Sequence, residues 1–375
     1  MKATILQENL SKALSAVGRI VPSRGQLPVL ANVLVEAEKE GVILTATNLE
    51  MGLRISAGGK VVQTGALTVP ARNLAEYMAS LPSGNVELSV ETDKLEVKAG
   101  KAKATFAGIA ASEFPVMPKF GERGEKNQLT SIKRKVVSQI AAQVAFAAAG
   151  EESRPVLTGI QLVREDKKIT VTATDGFRLS RKTIGVEEEK GAERALILPA
   201  KTMIELSRMV GEGKKEEVRM EIIGESNQVI FEYDNVQLIS RVLEGNFPDV
   251  DKIIPTEFTT EVTADREELV RGVKAVSIFA RDNSNIIRFR VSEDKLGVEA
   301  SAAQTGESTD EIEVVKKGED MVIAFNYRYV LDYLNSEEGE RVKIRMNGGL
   351  APAVFVGEEE GKEADRIHLV MPVRI

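Results

Sequence analysis

Hydrophobic and polar positions follow two different periods along the chain. In residues 7–20, Leu10, Leu14 and Val17 recur at the spacing of one helical face. In "VLVEA" and "VILTAT" the apolar positions follow the spacing of strands instead. The two patterns succeed each other in the order helix, strands, helix, strands. This order predicts α+β units in which helices cover one face of antiparallel sheets.

The whole pattern repeats along the chain. "ILTATN" at 43–48 returns as "TVTATD" at 170–175, and "VPARNLAEYM" at 69–78 returns as "LPAKTMIELS" at 198–207. A fainter third copy includes "FNYRYVLDYL" at 325–334. The period, roughly 127 residues, is too long for a solenoid. We therefore predict three repeated domains of antiparallel sheet with two helices each.

Six helices are predicted, at residues 7–20, 71–80, 131–148, 199–210, 264–281 and 325–335. Polar or proline-marked stretches near 121–128 and 252–258 separate the copies, so the expected domains are 1–125, 126–256 and 257–375. The predicted helices carry a net charge of +6 and the rest of the chain −13, for a total of −7. A basic helical surface could hold a polyanion through its phosphates. The alternative is that these lysines and arginines are solvated on unrelated faces.

Composition removes several classes of function. The 375 residues include no cysteine, no tryptophan and a single histidine, His368. Disulfides, thiolate chemistry and multi-histidine metal sites are therefore excluded. We find no secretory leader, no membrane-spanning run and no phosphate-loop, dinucleotide-binding or hydrolase motif. These absences favour a cytoplasmic binding protein over an enzyme, with no cofactor and no membrane partner.

The stretch "VTATDGFRLS" at 171–180 is the strongest candidate for catalysis, because it delivers Asp175 into a turn after a strand. The equivalent positions in the other copies are Asn48 and Ala302. Asp and Asn both start turns by bonding the backbone two residues on, so a turn residue is the favoured interpretation. Two rival hypotheses stay open: a hydrolase that uses Asp175, and a three-domain protein-binding scaffold that never touches DNA.

The chain resembles the bacterial DNA polymerase III beta subunit family, the sliding clamps, over its whole length. The resemblance rests on eight stretches in order: "LPVLANVLVE", "TNLEMGLR", "TVPARNL", "RPVLTGI", "ATDGFRLS", "EGNFPDV", "FNYRYVLDYL" and "VMPVRI". It implies a head-to-tail homodimer whose six domains form a ring around double-stranded DNA, without sequence preference. The implied role is a non-catalytic processivity factor of the DNA polymerase III holoenzyme. Implied partners are the replicative polymerase alpha subunit, the clamp loader and other proteins with a clamp-binding motif.

The resemblance also implies three sets of site residues. A hydrophobic peptide-binding pocket would include Leu157, Thr174, Gly176, Arg178, Leu179, Pro248, Ile253, Asn326, Tyr329, Val370, Met371, Pro372, Val373, Arg374 and Ile375. Within it, Arg178 and Arg374 are expected to pair with polar or carboxylate groups of the ligand. The dimer interface would join Phe106 to Ile278 and Phe279. Together, the resemblance and the charge pattern predict five DNA-binding residues: Arg24, Lys133, Arg134, Lys135 and Lys201.

Overall fold

The computed structural model describes residues 1–22, 27–121, 128–150, 153–165, 167–185, 194–211, 213–223, 227–303, 306–358 and 365–374. These ranges contain six α-helices: α1 (Gln7–Gly18), α2 (Ala71–Ser80), α3 (Arg134–Gln143), α4 (Ala200–Gly211), α5 (Arg266–Ala280) and α6 (Tyr327–Ser336). None of these helices is long and apolar enough to span a membrane.

Strands make up most of the remaining structure. The first copy of the repeat has β1 (Lys2–Leu6), β2 (Asn32–Glu38), β3 (Gly41–Thr47), β4 (Met51–Gly58), β5 (Lys60–Gln63), β6 (Gly65–Pro70), β7 (Asn85–Glu91), β8 (Lys94–Ala99) and β9 (Ala102–Ala107). The second has β10 (Gln128–Lys133), β11 (Gly159–Glu165), β12 (Lys168–Thr174), β13 (Arg178–Gly185), β14 (Arg194–Pro199), β15 (Glu217–Ile223), β16 (Gln228–Tyr233) and β17 (Val236–Arg241). The third has β18 (Thr260–Asp265), β19 (Ile286–Ser292), β20 (Lys295–Ala302), β21 (Gly306–Gly318), β22 (Met321–Asn326), β23 (Arg341–Met346), β24 (Ala353–Gly357) and β25 (Arg366–Val370).

These elements fall into two compact units. The first unit comprises Met1–Lys135 with Glu205–Val242, and it contains a five-stranded sheet in the order β5-β1-β7-β8-β9. It also contains an eight-stranded sheet in the order β10-β15-β16-β17-β4-β3-β2-β6. The second unit comprises Val136–Ile204 with Leu243–Ile375. Its twelve strands run in the order β14-β11-β12-β13-β25-β24-β23-β18-β21-β20-β19-β22.

The threefold repeat is visible in the strand order. The runs β6-β2-β3-β4, β14-β11-β12-β13 and β22-β19-β20-β21 have the same connectivity, and all their pairings are antiparallel. Val33, Ile160 and Ile287 occupy the same place in the three runs, and each is fully buried. The predicted α+β architecture of three sheet-rich copies with two helices each is confirmed.

Helix positions follow the predicted apolar faces. Helix α2 lies where the pattern placed it, and the buried face of α1 contains Leu10, Leu14 and Val17. The third copy has a continuous core, to which α5 contributes Leu269 and Val273. These side chains are shielded from water because the helix covers the inner face of the sheet.

The predicted helix at 131–148 is wrong at its beginning and end. Residues up to Lys133 belong to β10, which pairs with β15, and α3 covers only Arg134–Gln143. After Val144 the chain forms a short 3-10 turn. Pairing with a distant strand overrides the local helical pattern here, as tertiary context often does.

The six observed helices carry ten basic and six acidic side chains, a net charge of +4 rather than the expected +6.

Candidate binding site at the junction of β13 and β25

The turn between β12 and β13 is held by side chains that bond its own backbone. The Thr174 hydroxyl accepts the N–H of Gly176 at 3.0 Å and donates to the Arg178 carbonyl at 2.6 Å. One carboxylate oxygen of Asp175 accepts the N–H groups of Phe177 and Arg178 at 2.9 and 3.0 Å. Gly176 has a φ of +90°, which glycine adopts without strain. The prediction that Asp175 is a turn residue is confirmed.

The first copy of the repeat contains the same turn. The Thr47 hydroxyl bonds Leu49 and Met51 at 3.0 Å each, as Thr174 bonds its own turn. The side-chain amide oxygen of Asn48, Oδ1, accepts the N–H groups of Glu50 and Met51 at 3.1 and 2.8 Å. An amide therefore serves this turn as well as a carboxylate does. The negative charge of Asp175 must have another use in the second copy.

That use is an ion pair with Arg178. The Arg178 Nε donates to Asp175 at 3.1 Å, one terminal nitrogen pairs with Asp332 of α6, and the other donates to the Phe146 carbonyl at 2.7 Å. The guanidinium carbon also lies 4.6 Å from the centre of the Tyr329 ring. Only 11% of the Arg178 side chain is exposed. Arg178 thus joins the turn to α6, and its expected pairing with a ligand carboxylate stays a prediction.

Strands β13 and β25 form a continuous sheet across the second and third copies. Arg178 pairs with Val370 and Leu179 with Leu369. Beyond β25, the N–H of Met371 donates to the Phe177 carbonyl, and the N–H of Val373 donates to the Ala324 carbonyl, both at 2.8 Å. The C-terminal segment is therefore fixed by backbone bonds on both sides, while the side chains of Met371 and Val373 stay partly exposed.

The candidate pocket residues divide into three groups by exposure. Four are buried under the surface: Leu157, Thr174, Leu179 and Val370. Six are partly exposed: Arg178, Asn326, Tyr329, Met371, Pro372 and Val373. Four are exposed: Gly176, Pro248, Ile253 and Arg374. Ile375 lies outside the described residues. A ligand can reach the second and third groups directly, whereas the first group supports them from below.

An apolar cluster underlies this region. Its buried members are Leu179, Val250, Val354, Val356 and Leu369, against which Phe247, Ile254, Phe258, Ile367 and Met371 pack. Sequence reasoning missed Val250, Phe247 and Ile254, although "EGNFPDV" contains two of them. It also missed Asp332 and Phe146, the partners of Arg178. The periodicity of α6 predicts that Asp332 lies on the polar face of the helix. It does not predict which distant cation the carboxylate contacts.

The electrostatics of the site keep Tyr329 neutral. Partial burial raises the pKa of the Tyr329 phenol, and the nearby Asp175 carboxylate raises it further. Deeper in the second unit, the fully buried His368 ring stacks on Tyr333 with ring centres 5.2 Å apart. Burial lowers the pKa of His368 well below its usual value, and the cations Arg366 and Arg178 lower it further. His368 is therefore uncharged at neutral pH.

Four of the five candidate DNA-binding residues lie at the beginning of a helix or just before it. Lys133 ends β10, and Lys135 is exposed in the first turn of α3. Arg134 donates to the Gly213 carbonyl at 3.1 Å. Lys201 is exposed at the second position of α4. Arg24 lies outside the described residues.

The repeat reveals two further cations that sequence reasoning missed. Arg72 and Arg328 occupy the second position of α2 and α6, as Lys201 does in α4, and both are exposed. The first turns of these three helices contain no acidic residue. A cation there is opposed by the positive end of the helix dipole, although Arg72 also forms an ion pair with Glu76 at 2.8 Å one turn later in α2. Alignment of the three copies would have found this set.

The candidate interface residues lie on two different elements. Phe106 is on β9, the edge strand of the five-stranded sheet, with its ring 5.7 Å from that of Tyr77. Ile278 is on α5 and 58% exposed, whereas its neighbour Phe279 is partly buried against the core of the third copy. Single exposed aliphatic side chains are common on protein surfaces, so the interface role of Ile278 stays a prediction.

Comparison with known proteins gives three consecutive family matches. The model for the DNA polymerase III beta subunit N-terminal domain matches residues 1–118, that for the central domain matches 131–249, and that for the C-terminal domain matches 251–374. Together they account for nearly the whole chain, in the order of the internal repeat.

Individual relatives agree with these matches. A beta sliding clamp from Synechocystis sp. is 31% identical, with all of both chains covered. The structure of the DNA polymerase sliding clamp from Bacillus subtilis superimposes with a TM-score of 0.91 at 26% identity, covering 100% of this chain and 99% of that one. A sliding clamp from Pseudomonas aeruginosa, solved bound to griselimycin, has a TM-score of 0.90 at 28% identity and full coverage of both chains.

Proposed function

Because the chain belongs to the DNA polymerase III beta subunit family, we propose that it encircles duplex DNA as a sliding clamp and tethers replication and repair proteins to it. The observation that carries this proposal is the set of three domain matches in order, on a threefold structural repeat. The role is that of a non-catalytic processivity factor. Asp175 bonds its own turn and Arg178, which argues against the rival hydrolase hypothesis.

The partner site is proposed at the junction of β13 and β25. Partly exposed Met371 packs against the apolar cluster that Phe247 and Ile254 also contact, and these two residues are the chain neighbours of exposed Pro248 and Ile253. Apolar side chains with a fixed backbone are suited to accept a few anchors of a short extended peptide. The griselimycin-bound structure of the Pseudomonas aeruginosa clamp supports a ligand site on this fold. The proposed occupants are motifs of the polymerase alpha subunit, the clamp loader and other clamp-binding proteins.

DNA contacts are proposed for the basic residues Arg24, Lys133, Arg134, Lys135 and Lys201, to which the repeat adds Arg72 and Arg328. Lysine and arginine at helix beginnings can neutralise phosphates without reading bases. Such contacts allow a closed ring to slide, because their strength does not depend on sequence. The chain as a whole is acidic, with a net charge of −7, which disfavours nonspecific adhesion to nucleic acid.

The ring itself is proposed to be a head-to-tail homodimer, in which Phe106 of one protomer meets Ile278 and Phe279 of the other. A heterologous interface that closes after two copies gives a six-domain ring. We propose domain limits of 1–125, 126–256 and 257–375. As a replication factor, the protein is proposed to work in the cytoplasm.

Topological linkage distinguishes this function from simple DNA binding. In the test, a clamp loader places the labelled protein on nicked circular DNA, and the protein that stays with the DNA is measured by gel filtration. Linearising the circle with a restriction enzyme should release the protein, because a ring slides off an end. Equal retention on circular and linear DNA would contradict the proposal and favour an ordinary DNA-binding protein. Failure to load at all would favour the scaffold hypothesis.

A further inference from the structure

One row of side chains crosses six neighbouring strands of the second unit's sheet. Its members are cross-strand partners in the antiparallel register, so their side chains lie on the same face of the sheet. From β13 to β21 the row consists of Leu179, Leu369, Val354, Arg345, Glu261 and Lys317. The first three are apolar and buried, and the last three are charged. The row therefore connects the apolar cluster beneath the proposed partner site with a charged patch on the same face.

The charged end of the row borders a cavity of about 560 Å³. The residues that line it include Phe258, Glu261, Lys317, Gly318 and Arg345. Gly318 has a φ of +98°, and a Cβ at this position would overlap the Thr259 carbonyl oxygen. Glycine is therefore required where β21 ends at the wall of the cavity.

The cavity has an excess of positive charge. Of the described residues that line it, Glu261 alone is acidic, and its carboxylate accepts from Arg345 Nε at 3.0 Å and lies 3.4 Å from the Lys343 ammonium. In the part of the chain that the structure describes, Lys317 has no ion-pair partner and the terminal nitrogens of Arg345 have no acceptor. An anion can therefore bind these two cations without breaking an existing ion pair.

Phe258 connects the cavity with the apolar cluster. Its ring packs against that cluster, as Met371 does, and the Arg345 guanidinium carbon lies 5.7 Å from the ring centre. Neighbouring strands are about 4.8 Å apart, so Arg345 lies about 14 Å along the row from Leu179. An extended peptide covers that distance in about four residues. A peptide anchored on the cluster can therefore place another of its side chains in the cavity.

We propose that this cavity is an anion subsite of the partner site, which binds the carboxylates of an acidic segment that flanks the anchors of the partner peptide. Charge complementarity and continuity with the apolar cluster identify this occupant. The terminal nitrogens of Arg345 donate to a carboxylate in planar geometry, and Lys317 adds a second positive charge. The inference rests on the proposed partner site and adds the charge that its ligands carry outside their anchors.

Two peptides of the polymerase alpha subunit test the subsite by fluorescence anisotropy. One carries Glu-Glu at about four to seven residues on both sides of its clamp-binding motif, and the other carries Gln-Gln at the same positions. The unmodified protein should bind the Glu peptide about fivefold more tightly at low salt. This preference should decrease as salt is added, because salt screens exposed charges.

Substitutions in the cavity should remove the preference. Arg345→Gln with Lys317→Gln should bind the two peptides equally. Lys317→Gln alone should reduce the preference to about twofold. This single change breaks no ion pair of the described residues, so it tests the cavity even if the double variant fails to fold. Thermal unfolding identifies any variant that does not fold.

The matched control is Arg271→Gln with Lys274→Gln. It removes the same two charges from exposed positions of α5. This helix packs on the opposite face of the sheet, because its buried side chains share a core with Val262 and Ile344, the chain neighbours of Glu261 and Arg345. The control should keep the fivefold preference.

The outcomes separate the subsite from the partner site. Equal binding of both peptides by the unmodified protein would overturn the subsite and leave the partner site in place. The same would follow if the cavity variants kept the preference, or if the α5 control lost it as they do. Binding of neither peptide would overturn the partner site and the subsite with it.

Discussion

At the scale of single residues, Arg178 is the connection between the turn at 174–178 and helix α6. It bonds Asp175, Asp332 and the Phe146 carbonyl and stacks on Tyr329, so its conformation is determined from four sides. A guanidinium suits this position because its planar donors reach several acceptors at once. The rim of the proposed pocket is consequently rigid at Arg178. Ligand binding therefore does not have to fix the conformation of this side chain.

Substitutions at Asp175 separate its two roles. Asp175→Ala removes the acceptor of two backbone N–H groups, so we expect a loss of about 1–3 kcal/mol in the free energy of unfolding. Asp175→Asn keeps that acceptor, as Asn48 does in the first copy, and should cost less than half as much. Urea unfolding measures both. Equal losses would mean that the charge, and not the turn, is what matters.

For peptide binding, Leu179→Ala should be more harmful than Asp175→Ala, because Leu179 belongs to the apolar cluster.

His368 should make stability depend on pH. Burial depresses the pKa of this histidine in the folded protein, whereas in the unfolded chain it is near ~6.5. Below ~6.5 the unfolded state therefore binds a proton that the folded state does not, and stability falls as pH decreases. His368→Phe keeps a ring against Tyr333. In this variant the unfolding midpoint should change less between pH 7 and pH 5 than it does in the unmodified protein. An equally steep dependence in the variant would assign the effect to carboxylates instead.

At the scale of elements, the C-terminal segment after β25 is the expected partner-binding element. Removing residues 371–375 deletes Met371 from the apolar cluster and removes the backbone bonds of Met371 and Val373. We expect this truncation to abolish binding of a polymerase peptide in fluorescence anisotropy. The dimer should survive, because its proposed contacts lie elsewhere. Met371→Ala, which keeps the backbone bonds, should weaken binding without abolishing it. Unchanged binding by the truncated protein would place the pocket elsewhere.

The first turns of α2, α4 and α6 are the elements expected to face DNA. Replacing Arg72, Lys201 and Arg328 with alanine should shorten retention on circular DNA and reduce the salt dependence of binding by about 0.9 for each lost phosphate contact. A matched control replaces three exposed lysines outside helices, Lys39, Lys60 and Lys94. If the control weakens retention as much, total charge is responsible and the helices have no special role.

At the scale of the whole molecule, the ring depends on an interface that occurs twice. Burying a large aliphatic side chain contributes ~1.5–3 kcal/mol. Because the proposed interface occurs twice in the ring, a change at Ile278 should weaken both interfaces. We expect Ile278→Ala with Phe279→Ala to shift the protein towards monomers in light scattering. Leu350→Ala is the matched control, because Leu350 is 72% exposed and lies outside the proposed interface. A double variant that remains dimeric at every concentration would contradict the assignment.

The sequence by itself determined the class of fold, the threefold repeat and the positions of most helices. Periodicity encodes these features directly, because each buried face must recur at 3.6 or 2 residues. The ordered motifs were sufficient to indicate the family. The turn role of Asp175 was also predictable, because it depends on residues within three positions.

Only the tertiary structure decided which distant residues meet. Pairing of β10 with β15 placed Lys133 on a strand although its local sequence favours a helix. Arg178 bonds Asp332, a residue 154 positions away, so its expected availability to a ligand could not be judged from local sequence. The pairing of β4 with β17 and of β13 with β25 joins strands that are far apart in sequence, so no local pattern predicts it. Contacts of this kind depend on packing between distant segments. A local pattern of polar and apolar residues does not specify which segments pack together.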